Sequence, residues 1–145
     1  MLVKNTKTLI LGGVRSGKSR LAERLAHETQ LSVIYIATAT IEDEEMRQRI
    51  VQHKTHRPDH WQVIEEPIKL ASVLQQYAAP SRCLLIDCLT LWLTNLLVQN
   101  NLEQFDQERQ ILLETLPSLT GRVILVSNET NLGITPLGEL SRRYC

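Results

Sequence analysis

The sequence predicts an α/β protein, a mostly parallel sheet flanked by helices, and two observations carry that expectation. Apolar stretches of about five residues recur between segments of helical periodicity, with no internal repeat and no low-complexity linker. Directly after the first of them the chain reads Gly12-Gly13-Val14-Arg15-Ser16-Gly17-Lys18-Ser19, a GxxxxGKS phosphate-binding loop with a strand before it and a helix after it.

Taken in order, strands are expected at residues 8–11, 33–37, 61–64, 83–86 and 123–126. The first helix starts at the loop lysine and runs to about residue 28. Leu21 and Leu25 stand at i, i+4 with Ala22 and Ala26 beside them, a stripe suited to lie on the sheet. Residues 42–54 are helical by pattern: acidic residues fill the first turn, Met46, Ile50 and His53 share a face, and Arg57-Pro58 ends the run by forcing extended backbone. Further helices are expected at 69–77, 89–98 and 105–116, and Gly121 marks a turn before the last strand. The chain stops at "ELSRRYC", which opens like a helix.

At 145 residues the chain, 1–145, reads as one domain, and 43% hydrophobic content fits a globular core. Sixteen basic residues balance sixteen acidic ones, so no global field draws in nucleic acid or an anionic membrane, and a small-molecule partner is the expectation. No secretory signal and no membrane span is legible, and the odd count of three cysteines fits reduced thiols in the cytoplasm. Cys83 and Cys88, five apart around a strand, are expected on opposite faces as packing residues rather than as a metal clasp.

In the loop, glycines let backbone N–H groups turn toward phosphate oxygens, Lys18 reaches the β and γ phosphates, and the Ser19 hydroxyl ligates Mg²⁺. Such a site needs a carboxylate at the end of a neighbouring strand, and "CLLIDC" supplies Asp87 as the second anchor of the metal. The alternative is that Asp87 caps the following helix, a role compatible with the first. A guanine-nucleotide switch would carry an Asn-Lys-x-Asp base-reading motif, and a recombinase-like motor a basic groove and a longer chain; neither is visible.

Three of the four histidines, His53, His56 and His60, lie in "RIVQHKTHRPDHW" beside Lys54 and Arg57. A zinc site would use all three, but Pro58 breaks the helix that could align them. A neutral imidazole can instead attack phosphorus near pH 7 where flanking cations neutralise the charge that builds on the phosphoryl oxygens. The same residues also suit a solvated basic helix end, and spacing alone does not choose among these readings.

Together, "LILGGVRSGKSRLAE", "VIYIATA" with "DEEMRQRIVQHKTHRPDHW", "LLIDCLTLWLTNLL" and "VSNETNLGITPLGELSRR" resemble the bifunctional adenosylcobinamide kinase / adenosylcobinamide-phosphate guanylyltransferase family of cobalamin biosynthesis, over essentially the whole chain. The resemblance implies a P-loop NTPase with a RecA-like sheet, assembled as a homotrimer. It implies phosphorylation of the aminopropanol hydroxyl of adenosylcobinamide with ATP or GTP. It further implies transfer of GMP from GTP through an active-site histidine to adenosylcobinamide phosphate, giving adenosylcobinamide-GDP.

The histidine matching the nucleophile is His53, followed by Lys54, Thr55, His56 and Arg57 as a nucleotide-contacting segment. By the same matching Gly12, Gly13, Val14, Arg15, Ser16, Gly17, Lys18 and Ser19 hold the triphosphate. Ala37, Thr38 and Ala39 line the nucleotide site, and Glu65 and Asp87 complete it, both also candidates for the kinase-step base. The chain departs from the family pattern at Thr130, Asn131 and Thr135. Family members also continue for tens of residues past "LSRRYC" through a helix and a last strand, so the C-terminal element reads as missing. Two other functions fit the phosphate loop: a simple small-molecule kinase without a covalent GMP intermediate, and a nucleotide-binding assembly protein without turnover.

Overall fold

A computed structural model of the protein describes residues 5–13, 17–39, 58 and 60–128. Within them, β1 (Lys7–Gly12), β2 (Ser32–Ala37), β3 (Gln62–Glu65), β4 (Arg82–Asp87) and β5 (Arg122–Asn128) form one five-stranded sheet in the order β1-β5-β4-β2-β3. Every pairing is parallel. The helices are α1 (Lys18–Glu28), α2 (Leu70–Tyr77), α3 (Leu89–Val98) and α4 (Leu102–Thr115), the last running into a short 3₁₀ turn, Leu116–Ser118, where Pro117 removes a backbone donor. All five expected strands are present, each displaced by no more than a residue or two at its ends. The expected helix at 42–54 lies outside the described residues.

A parallel sheet is covered on both faces, and that is why its central strands read as continuous aliphatic runs rather than alternating ones. On one face Ile10, Val33, Tyr35, Leu85, Ile124 and Val126 pack with Ala22 and Ala26 of α1 and with Trp61. On the other, Ile34, Ile36, Leu84, Ile86, Val123 and Leu125 meet Leu70, Leu74, Trp92, Leu96, Phe105 and Leu112 of the remaining helices. The stripe of α1 differs from the expectation in one respect. Lys18, Ala22 and Ala26 are its buried residues, whereas Leu21 is 37% exposed and Leu25 only partly buried. Two alanines one turn apart let the helix lie close to the strands, and the leucines flank the contact.

Local capping fixes where the helices begin. Glu66 accepts from the Ile68 and Lys69 N–H groups at 3.0 Å each, just ahead of α2. The Asn101 side chain accepts from Gln104 N at 3.1 Å and starts α4 at Leu102, one turn before the expected residue 105. The cap of α3 is Cys88, whose sulfur accepts from Leu91 N at 3.4 Å. That removes the alternative in which Asp87 is the cap, and it corrects one expectation: Cys83 and Cys88 do not face opposite ways. Both thiols lie in the cluster on the α1 face, because the strand ends at Asp87 and its alternation no longer applies to the capping residue.

Candidate functional site

With every strand parallel, the carboxyl ends of all five open on one edge of the sheet, the edge where ligands bind in open α/β folds. Register sets the order along it. Gly12 lies opposite Asn128, Asp87 opposite Val126 and Ala37, and Ala37 opposite Glu65. The loop after β1 enters α1 on one face, and the chain after β4 enters α3 on the other. The Ser19–Asp87 contact lies at this edge.

Gly17 sits immediately before α1 with φ 78° and ψ 14°, left-handed backbone that a glycine adopts without a Cβ penalty. It turns the loop so that α1 begins at Lys18, presenting unpaired N–H groups at a positive helix end. Lys18 is buried, and its Nζ donates to the Gly13 carbonyl at 2.8 Å, which lays the ammonium across the loop. Val14, Arg15 and Ser16 lie outside the described residues.

Ser19 and Asp87, 68 residues apart in sequence, meet here: Ser19 Oγ donates to Asp87 Oδ2 at 3.4 Å. The phenol of Tyr35 donates to the same oxygen at 2.6 Å. Asp87 Oδ1 accepts no hydrogen bond from any described residue. A hydroxyl beside a carboxylate is a hard-oxygen pair of the kind Mg²⁺ takes when phosphates supply further ligands. No group of three or more His, Cys, Asp or Glu side chains that could hold a metal occurs among the described residues. The residues present fit a cation that arrives with a triphosphate.

Thr38 follows β2 and is fully buried. Its N–H donates to the Asp87 carbonyl at 3.1 Å, while its hydroxyl donates to Cys88 O at 2.8 Å and accepts from Cys88 N at 2.9 Å. The Asn95 amide ties the Thr38 carbonyl to α3 at 2.8 Å. The turn carrying Asp87 is therefore strapped to the end of β2. Ala37 is buried and Ala39 half-buried beside it, while Glu65 is exposed at the end of β3, two strand positions from Asp87 and hence roughly 10 Å away between backbones. The structure brings together Lys18, Ser19 and Asp87, and it does not bring Glu65 to them. His53, Lys54, Thr55, His56 and Arg57 lie outside the described residues.

Tyr35 is a site side chain that the sequence pattern does not single out. Its signal was a polar-tipped aromatic inside the otherwise aliphatic β2, "SVIYIA". Thr90 plays a comparable tying role. It accepts from Asn128 N at 2.9 Å and lies 3.1 Å from Ser127 Oγ, fastening the end of β5 to α3. Both described cysteines are reduced and buried. Burial holds the Cys88 thiol above its ordinary value, which suits a sulfur used as a helix cap and not as a nucleophile. No described helix is long and apolar enough to cross a membrane.

Residues 8–145 match a family model described as cobinamide kinase / cobinamide phosphate guanyltransferase. The chain is 62% identical over 138 residues to the bifunctional adenosylcobalamin biosynthesis protein CobP of Pseudomonas aeruginosa, a match covering 95% of this chain and 80% of the relative. It is 39% identical to the bifunctional adenosylcobalamin biosynthesis protein CobU of Salmonella typhimurium, covering 94% of this chain and 82% of that one. Among solved structures it resembles the RadB recombinase, with a TM-score of 0.54 at 15% identity over 95% of this chain and 72% of that one. It also resembles a DnaB-like replicative helicase, with a TM-score of 0.51 at 16% identity over 88% of this chain and 39% of that one. At such identities these two likenesses concern the fold alone, a RecA-like parallel α/β sheet.

Proposed function

This chain belongs to the cobinamide kinase / cobinamide phosphate guanyltransferase family, and on that premise we propose how its own residues divide the work of a bifunctional transferase of cobalamin biosynthesis. The enzyme is a cobinamide kinase and a cobinamide-phosphate guanylyltransferase. The whole chain, 1–145, acts as one domain on small molecules: adenosylcobinamide, ATP and GTP. The family resemblance further supports a homotrimer in the cytoplasm.

The observation that carries the reading is the meeting of Ser19 Oγ and Asp87 Oδ2 at 3.4 Å beside the buried Lys18. It supports a triphosphate in the loop Gly12 to Ser19, with Mg²⁺ held by Ser19 and Asp87. The cation would neutralise charge on the phosphate oxygens during transfer. In the kinase step the aminopropanol hydroxyl attacks the γ phosphorus of ATP or GTP, the bond from γ phosphorus to the β–γ bridging oxygen breaks, and the nucleoside diphosphate leaves. Lys18 stabilises the charge that spreads over the γ oxygens. Asp87 and Glu65 remain the two candidates to take the hydroxyl proton, and Asp87 stands much the nearer to Lys18 and Ser19.

In the guanylyl step an imidazole nitrogen of His53 attacks the α phosphorus of GTP and pyrophosphate leaves. A phosphate oxygen of adenosylcobinamide phosphate then attacks the same phosphorus, displacing His53 and giving adenosylcobinamide-GDP. The covalent stage separates two bulky anions that would otherwise have to meet directly, each half-step having one incoming nucleophile. Support for His53 comes from its place in "RIVQHK", within the matched residues, with Lys54, Thr55, His56 and Arg57 following as cations and hydrogen-bond donors along the nucleotide. Ala37 and Ala39 stand at the end of β2 beside the site, with the buried Thr38 between them holding the Asp87 turn.

The test is incubation with α-labelled GTP and Mg²⁺. Acid-labile, alkali-stable label on the wild-type protein, absent from His53→Ala, is expected. No label on either protein, with γ phosphate still transferred to adenosylcobinamide, would leave a simple kinase; tight GTP binding without any transfer would leave an assembly protein.

A further inference from the structure

Tyr35 occupies a position where a phenylalanine would satisfy packing alone. It is 5% exposed, on the α1 face of β2, among Val33, Ala22, Ala26 and Leu85. A phenolic O–H in such surroundings is tolerated only when it finds a partner, and the partner here is the site carboxylate. Register explains the reach. Tyr35 pairs with Leu85, and Ala37 with Asp87, so the phenol runs along the sheet past two residues, about 6.6 Å of strand, to the carboxyl edge.

At 2.6 Å the bond has the length of a charge-assisted O–H···O⁻ contact, whereas the Ser19 hydroxyl is 3.4 Å from the same oxygen. The short bond is therefore the main restraint on the carboxylate. Both hydroxyls lie on Oδ2, so Oδ1 is the oxygen to which no described side chain makes a claim. The backbone of Asp87 is fixed separately, through Thr38 N–H on its carbonyl at 3.1 Å. Strand β2 and the residue that follows it thus hold Asp87 at two points, one on the main chain and one on the side chain.

We propose that Tyr35 is a positioning residue for the nucleotide-bound divalent cation: its phenol fixes the rotamer of Asp87 by holding Oδ2, leaving Oδ1 presented to the cation. This rests on the reading of Asp87 as the cation anchor. The hydroxyl acts through Asp87, to which it donates at 2.6 Å.

The experiment compares GTP affinity in Mg²⁺ and in EDTA for wild type, Tyr35→Phe, Asp87→Asn and the double variant, with Mn²⁺ binding to the GTP complex followed by electron paramagnetic resonance. Tyr35→Phe is expected to keep the wild-type melting temperature and EDTA affinity and to lose about 3- to 10-fold in the gain that the divalent ion confers. Its Mn²⁺ affinity should fall in parallel. Asp87→Asn should lose at least as much, and adding Tyr35→Phe to it should change the gain by less than about twofold, as expected of two residues acting through one contact.

A Tyr35→Phe protein within twofold of wild type, while Asp87→Asn has lost the gain, would leave the phenol a packing residue and overturn the inference alone. Equal losses in Mg²⁺ and EDTA, or loss of cooperative unfolding, would overturn it as well, by making the phenol a determinant of the pocket or the fold. An unchanged gain in Asp87→Asn would instead overturn the anchor reading, and the inference with it.

Discussion

Thr38 illustrates how much of this site rests on single hydroxyls. Its oxygen serves both backbone groups of Cys88 from a fully buried position. Replacing it with valine keeps the shape and orphans a buried N–H and a buried C=O, so Thr38→Val is expected to lower stability by about 1–3 kcal/mol in urea unfolding. Thr38→Ser, which keeps the oxygen and loses a methyl, should lose only about 1 kcal/mol. At this scale the sequence made the meeting of Ser19 with Asp87 beside the buried Lys18 legible, because residue type and spacing there match a motif with a recognisable pattern. Tyr35 and Thr38 were not legible as partners of the Asp87 turn, because an aromatic and a β-branched residue in or beside a strand are what strand packing alone would select. Their polar atoms acquire meaning only when β2 and β4 are known to be neighbours.

Among elements, the turn into β5 has the narrowest tolerance. Gly121 adopts φ +83°, and a Cβ there would run into the Ala79 carbonyl oxygen and lie 2.6 Å from that of Arg82. Both obstacles are backbone, and Arg82 N is itself bonded to Ala79 O at 3.0 Å, so neither can easily yield. Gly121→Ala is expected to destabilise the protein by about 2 kcal/mol or more, seen as a lowered midpoint in chemical denaturation. That glycine was readable as a turn. Strands were readable too, since a parallel sheet covered on both faces leaves continuous aliphatic runs. Less readable was the start of α4: Leu102 is 66% exposed in its first turn, so apolar periodicity begins only at the buried Phe105, and the Asn101 cap carries the boundary. Likewise the stripe of α1 suggested leucines on the sheet, whereas close approach selects Ala22 and Ala26.

At the scale of the molecule, pH acts through the core. Burial pushes the Cys83 thiol up to about 11 from an ordinary 9.0, with Thr29 and Arg122 pulling it partly back. Because the folded value lies above the unfolded one, the fold favours the protonated thiol. The resulting stability is whole below pH 9 and is lost as pH rises toward 11, an effect of order 2–3 kcal/mol. Urea unfolding at pH 7.5 and 10.5 should therefore show a smaller alkaline loss for Cys83→Ala than for wild type. The order β1-β5-β4-β2-β3 has a further consequence, one of timing. The strand that leads into the phosphate loop pairs with the strand that closes the described chain, Lys7 with Val123 through Gly12 with Asn128. Bonds from Val123 N to Thr6 O, at 3.0 Å, and from Gly121 N to Asn5, at 2.9 Å, join the same ends. Contacts of such sequence separation form late in folding, after the cost of closing a long loop has been met. On the ribosome β1 is made early yet, among the described strands, has only β5 to pair with, so the sheet edge that carries Gly12 is fixed late in synthesis.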